Sequence, residues 1–198
     1  PVAKDYKRVG AGDTGLNTGG MGAVSPVPFV SSELMELVER DIIQPTMHGL
    51  KTRAIEYQGF IFIGLIRVDG KPYVIEYNCR LGDPETEVII PRIENDLVAL
   101  LQKVAQRELA TAELVITPQT ATTVMLVSGG YPEKYEKGKI IHNLNAVVDS
   151  IVFHAGTIAT PAGIATNGGR VLALTSYGQT FTEALQISMK NAELVEFE

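Results

Sequence analysis

The chain has 198 residues, 45% hydrophobic content and a formal net charge of -6. That length carries one large or two small domains with real cores, and that hydrophobicity excludes a disordered segment. The acidic balance, with lysines and arginines dispersed, gives no basic footprint for nucleic acid. The single Cys79 excludes a disulfide framework and a Cys/His zinc pattern. No apolar run approaches bilayer length and no signal peptide is visible, so the expected compartment is the cytoplasm and no membrane partner is expected.

A basic stretch, Lys4 to Arg8, leads into a loop where Gly19, Gly20 and Gly22 permit positive φ and close backbone approach to a ligand. A flexible surface turn is the competing reading of that loop, and without a Walker lysine-serine pair it is no P-loop. Ser31 or Ser32 can cap a helix whose Leu34, Leu37, Val38 and Ile42 recur at helical spacing, and Pro45 should kink or restart it. Gly59 to Val68 reads as a strand covered on both faces, and Asp69-Gly70 as a tight hairpin turn.

The returning strand carries the most chemistry. Alternation puts Glu76, Asn78 and Arg80 on one face, and Ile75, Tyr77 and Cys79 on the other. A carboxylate and an amide oxygen are hard ligands suited to Mg²⁺, and a guanidinium beside them can pair with a carboxylate or phosphoryl group. An ordinary edge strand with alternating polar residues stands as the alternative. Cys79, on the apolar side, is expected in the core. Gly82-Asp83-Pro84 then breaks the ladder.

Asn95 can cap a second helix with Leu97, Leu100, Leu101, Val104 and Ala105 in one core stripe. Pro118 marks a boundary, giving expected domains 1–116 and 117–198. Beyond it, Ala121 to Ser128 and the short runs 139–141, 146–148, 150–153 and 171–175 have the texture of a small antiparallel sheet. Thr180 to Glu183 is a capping box for a last helix with Ala184, Leu185, Ser188, Met189 and Ala192 inward. The fold class is α+β. His48, His142 and His154 read as structural.

Three motifs in order carry a resemblance. Arg80 to Glu87, the loop Asp13 to Pro26, and Val152 to Thr157 with Thr166 to Val171 after it resemble the phosphoribosylamine–glycine ligase (glycinamide ribonucleotide synthetase) family of ATP-grasp enzymes. The likeness runs essentially from end to end. It implies part of an ATP-grasp core in residues 1–116 and a small C-terminal α+β domain in residues 117–198. It implies ATP as co-substrate, Mg²⁺ or Mn²⁺ on Glu76 and Asn78, and Arg80 as the catalytic charge. It places Asp13, Asn17, Thr18 and Gly20 at the glycine or phosphoribosylamine substrate, with Asp83 and Glu85 as further contacts. For Asp83 and Glu85, ordering of the turn is an equal alternative. Ala11 and Leu16 depart from the family pattern. Gly64, twelve residues before Glu76, stands where many ATP-grasp enzymes place another acid. The resemblance also implies that an N-terminal domain and an ATP lid are lacking, so the chain alone is expected to be inactive. Another ATP-grasp carboxylate–amine ligase, or a non-catalytic nucleotide-binding module, are the other classes open at this point.

Overall fold

The computed structural model describes residues 1–197. In chain order its strands are β1 (Lys4–Asp5), β2 (Arg8–Gly10), β3 (Thr14–Asn17), β4 (Gly22–Ser25), β5 (Phe62–Val68), β6 (Lys71–Asn78), β7 (Thr120–Val127), β8 (Ile151–His154), β9 (Thr157–Thr160), β10 (Gly163–Thr166) and β11 (Arg170–Gly178). The α-helices are α1 (Ser32–Val38), α2 (Gln44–Thr52), α3 (Thr86–Ile89), α4 (Leu97–Ala105) and α5 (Phe181–Ala192). Mixed helices and antiparallel sheets bear out the α+β class.

The chain forms two compact units: Pro1–Val27 with Asp83–Glu94 and Ile116–Glu198, and Pro28–Gly82 with Asn95–Val115. Compactness therefore divides the chain along a different line from the boundary expected after residue 116. Two segments from before that boundary, Pro1–Val27 and Asp83–Glu94, pack with the C-terminal segment that starts at Ile116.

The first unit is built on a five-stranded antiparallel sheet ordered β1-β4-β7-β11-β8. Its longest strand, β11, is buried almost throughout, because both faces are covered. On one face, Leu172 and Leu174 pack with Ile141, Val171 and Val195. Helix α5 lies on β7 and β11 with a small, polar underside. Ser188 Oγ donates to the Thr122 carbonyl at 3.1 Å and sits 3.0 Å from Ser176 Oγ, so the close approach leaves these hydroxyls satisfied. The opposite face holds Ala23, Val88 and Ala121. Thr180 caps α5 as expected, its Oγ1 accepting from Glu183 N, but Met189 is exposed rather than inward. The pattern predicted Met189 by spacing, whereas the inward face turns through Asn191, whose amide binds Val148 O and Ser150 Oγ.

Two of the short runs are not strands. Ile140 makes only an isolated bridge to Ala165, and Leu144–Ala146 is a 3-10 turn entered through Asn143 in the left-handed region. Strand pairing there passes instead to the β9–β10 hairpin.

In the second unit, Ser31 caps α1, its Oγ accepting from Leu34 N at 3.3 Å. A π-helical stretch, Glu39–Ile43, joins α1 to α2 without a break, and Pro45 follows it as the second residue of α2, so the widened turn lies just before the residue that has no N–H to give. Asp96, not Asn95, caps α4 through Ala99 N. Asn95 instead spends its amide on Glu113 O and Val115 N, tying the segment after α4 back to its start. Within the expected α4 stripe, Leu100 is buried and Leu101 is exposed.

Strands β5 and β6 form the predicted hairpin, with Asp69 and Gly70 both at positive φ as a two-residue type I′ turn requires. The strand Gly59 to Val68 is not covered on both faces. Leu65, Ile66 and Val68 on β5, and Tyr73, Val74, Ile75 and Tyr77 on β6, are exposed. A run of apolar residues specifies a strand, but burial depends on what packs against it, and this hairpin is a two-stranded sheet. Cys79 lies past the strand end and is exposed, not in the core.

Candidate functional site

The sequence-predicted residues fall into two groups, one in each unit. In the second unit, Glu76 and Asn78 share one face of β6. A bulge between Gly64 and Leu65 pairs Gly64 with Glu76 and Leu65 with Val74, leaving Ile75 as the extra residue. Glu76 and Asn78 both lie after the bulge, so their common orientation survives it. Asn78 Nδ2 donates to Glu76 Oε1 at 3.1 Å, which holds the carboxylate and leaves the amide's donor side on Glu76. Opposite Glu76, a Cβ on Gly64 would come within 3.0 Å of Glu76 Cγ, so a side chain there would crowd the carboxylate.

Strand β6 ends at Asn78, and Arg80 sits in the bend just beyond it, donating Nη1 to the Leu81 carbonyl at 2.9 Å. The face that alternation assigned to three residues is thus shared by two. Pairing stops because the chain turns toward Asp83-Pro84, and alternation has no meaning outside a strand.

The donor set fits a divalent cation in a limited way. A carboxylate and an amide oxygen on one face of the strand are two hard ligands, as suits an ion that keeps waters and phosphate oxygens for its remaining positions. Among the described residues, no group of three or more His, Cys, Asp or Glu is placed to hold a metal by itself.

In the first unit, the glycine-rich loop is held at its base. Thr18 N and Oγ1 both donate to Lys7 O at 2.8 Å, and Thr18 Oγ1 accepts from Gly20 N at 3.0 Å. Gly20 has φ +129°, and a Cβ there would lie 2.8 Å from Asp5 Oδ1 and overlap the Pro84 ring. Only glycine fits this contact between loop and turn. Asn17 ends β3 opposite Arg8. Asp13 occupies the tip of the β2–β3 hairpin, exposed and at φ 60°. Five residue steps along β3 separate it from Thr18 by roughly 16 Å, so the structure does not bring Asp13 to the loop's base.

Asp83 is paired with Arg170 at 2.9 Å, while Glu85 is buried at the start of α3. Sequence reasoning missed Asp5, Glu87, Tyr131 and Arg170. Asp5 was hidden inside a basic stretch, although an acid between Lys4 and Lys7 was itself the signal; it pairs with Lys7.

Burial pushes the carboxyls of Asp5, Glu85 and Glu87 above the ordinary carboxylate range. Neighbouring carboxylates add to this at Glu85 (Asp5 and Asp83) and at Glu87 (Asp83 and Glu85), against the opposing charges of Lys7 and Arg170. An acid with a raised folded value binds more protons folded than unfolded, so stability falls as pH rises through that value. Glu33, Asp41 and Glu136 shift the opposite way and titrate below this window, while the Pro1 amine, lowered by burial and by Arg92, offsets part of the three buried carboxyls' loss toward neutral pH. We expect a lower thermal midpoint at about pH 7 than at about pH 5 in physiological salt. Glu87→Gln should narrow that difference, since one Glu87 oxygen is buried without a partner. Calorimetry at the two pH values reads this directly, and the reverse order would refute it.

Two family models match in order: the phosphoribosylglycinamide synthetase ATP-grasp (A) domain over residues 1–86, and the C domain of the same synthetase over residues 121–198. The chain belongs to the phosphoribosylglycinamide synthetase family. It is 42% identical to the phosphoribosylamine–glycine ligase of Chlorobaculum tepidum over 199 residues, covering 99% of this chain and 47% of that protein. Against the same-named protein of Vibrio vulnificus strain CMCP6 it is 44% identical over 200 residues, with 100% and 47% coverage. The crystal structure of a phosphoribosylamine–glycine ligase from Thermotoga maritima superposes with a TM-score of 0.87 at 37% identity, covering 100% of this chain and 49% of that one. A phosphoribosylglycinamide synthetase from Anaerococcus prevotii, at 11% identity and TM-score 0.66, shares the fold. The chain spans about half the length of the curated relatives it matches. Strands β1 and β4 of the central sheet come from the A-domain match, and β7, β8 and β11 from the C-domain match. Among the described residues, no helix is long and apolar enough to cross a membrane.

Proposed function

We propose that this chain serves in the ATP-dependent ligation of glycine to 5-phosphoribosylamine, giving glycinamide ribonucleotide, ADP and phosphate, in the cytoplasm. Residues 1–116 act as the C-terminal part of an ATP-grasp domain, and residues 117–198 as the ligase's C-terminal domain. The observation that carries the reading is the Glu76–Asn78 pair on β6, with Glu76 exposed across from Gly64 and Asn78 half-buried beside it, in a chain similar to these ligases along its whole length.

Mg²⁺ or Mn²⁺, held by Glu76 and Asn78 together with the phosphates of ATP, would neutralise charge on those phosphates. Asn78 holds the Glu76 carboxylate in place by its amide bond. In the first step, a glycine carboxylate oxygen attacks the γ-phosphorus and ADP leaves, forming glycyl phosphate. In the second, the amine of phosphoribosylamine attacks the acyl carbon, phosphate departs and the amine gives up a proton. Arg80, released from the Leu81 carbonyl, supplies positive charge to the glycine carboxylate and the transferring phosphoryl group. Asn17, Thr18 and Gly20 line the substrates, Asn17 offering its side-chain amide while the donors of Thr18 and Gly20 stay on Lys7 O and Thr18 Oγ1 and fix the loop's shape, with Asp13, Asp83 and Glu85 as further contacts. Neither step needs a covalent nucleophile; the chain's residues align reactants and stabilise charge, and the acyl phosphate must be kept from water.

Water exclusion draws on an N-terminal domain and an ATP lid in the full-length protein. The 198-residue chain alone is therefore expected to give no glycine-dependent ADP release, and the full-length protein to sustain it over many turnovers when phosphoribosylamine is present. Activity of the chain alone would overturn the division of labour. A full-length protein that prefers another carboxylate–amine pair in a substrate panel would overturn the choice of substrates.

A further inference from the structure

The Gly19 peptide of the glycine-rich loop is gripped from both sides by residues of the C-terminal segment. Its N–H donates to Tyr131 Oη at 3.0 Å, and its carbonyl accepts from Arg170 Nη1 at 3.1 Å. The same Nη1 reaches the Asp83 carbonyl at 3.2 Å and the Asp83 carboxylate at 2.9 Å. The guanidinium also lies against Gly19 itself: a Cβ there would stand 3.0 Å from Cζ and 3.1 Å from Nε.

Both grips stand on rigid supports. Arg170 is the first residue of β11, the strand between β7 and β8 in the central sheet. Tyr131 comes just after β7, its ring 6.3 Å from that of Tyr135 and against Gly169, where a Cβ would overlap it. Arg170 thus bonds two segments, the loop at Gly19 and the turn at Asp83, that lie far apart in sequence. All three contacts end on Nη1, and the guanidinium plane behind it lies against Gly19; a lysine side chain is one atom shorter and has no such plane.

We infer that Tyr131 and Arg170 are positioning residues, which set Asn17, Thr18 and Gly20 against the Asp83 turn so that the substrate loop meets glycine and phosphoribosylamine in one fixed geometry. This rests on the proposed function. It gives the C-terminal segment a part in substrate recognition although neither residue need touch substrate.

The test has two arms. In the 198-residue chain, amide hydrogen exchange is measured for Tyr131→Phe and Arg170→Lys. Faster exchange at Gly19 and Gly20, with β7 and β11 protection kept, is expected; unchanged exchange at both glycines overturns the grip. In the full-length protein, Arg170→Lys should raise KM for phosphoribosylamine and glycine by about tenfold, the order expected for a lost charge-assisted hydrogen bond, and Tyr131→Phe by about threefold. KM for ATP should stay within about twofold, since uniform loss of binding would mark general loosening. Equal movement of all three KM values, or of none, overturns the positioning role. The exchange arm needs no turnover, so a wild-type full-length protein that makes no glycinamide ribonucleotide sinks the proposed function, and the substrate role with it, while the grip on Gly19 is still read independently.

Discussion

Glu76→Ala in the full-length protein is expected to lower glycine-dependent ADP release by about a hundredfold or more, since even outer-shell partners of a metal site are typically worth ten- to a hundredfold. The site has few ligands to lose. Gly64 faces Glu76 across the hairpin and offers no side-chain oxygen, and the described residues hold no three-membered cluster that could compensate. Removing Glu76 leaves one neutral amide oxygen, and it also frees Asn78, whose Nδ2 is bonded to Glu76 Oε1. Asn78→Ala should cost less than Glu76→Ala, and raised Mg²⁺ should restore part of its activity, because the charged ligand remains. The fold should not report the change. Glu76 is exposed, and surface substitutions usually stay within about 0.5 kcal/mol. Unchanged turnover would remove Glu76 from the metal site. Lost turnover together with a lowered melting point would make its role structural.

How far such a site can be read from sequence depends on the range of the physics involved. Glu76 and Asn78 were legible because alternation is local: two residues apart on a strand share a face whatever surrounds them, and the bulge at Ile75 falls before them. Arg80 was misplaced because the same rule was carried past Asn78, where the strand ends. The hairpin turn at Asp69-Gly70 and the caps at Ser31 and Thr180 were legible for the same local reason. Burial was not, because it belongs to packing partners. Cys79 and the β5–β6 apolar residues carry the composition of a core and are exposed. Nor was the link between loop and turn legible. Gly19, Asp83, Tyr131 and Arg170 are brought together by a sheet that interleaves distant segments, and no spacing in the sequence encodes that.

The largest stability effect is expected at Leu174. It is fully buried in β11, paired with Val124 on one side and Val152 on the other, and packed into the cluster of Ile141, Val171, Leu172 and Val195. Leu174→Ala removes three heavy atoms at a place where strands on both sides restrict collapse of the cavity, so the cost should fall at about 2–5 kcal/mol. Against a total of about 5–15 kcal/mol, that is a large fraction of the folding free energy. For a chain of this size it corresponds to a thermal midpoint lower by roughly 5–15 °C. Ile75→Ala is the matched comparison. Ile75 is equally apolar and sits in an equally strand-like run, but it is 64% exposed and is the extra residue of the bulge, so its truncation should cost no more than about 0.5 kcal/mol. Far-UV circular dichroism on urea unfolding separates the two. If Ile75→Ala proved as costly as Leu174→Ala, the hairpin would be packed against something in solution, and its assignment as an open face would fall. If Leu174→Ala were nearly neutral, the β7–β11–β8 core would not be what holds the first unit together.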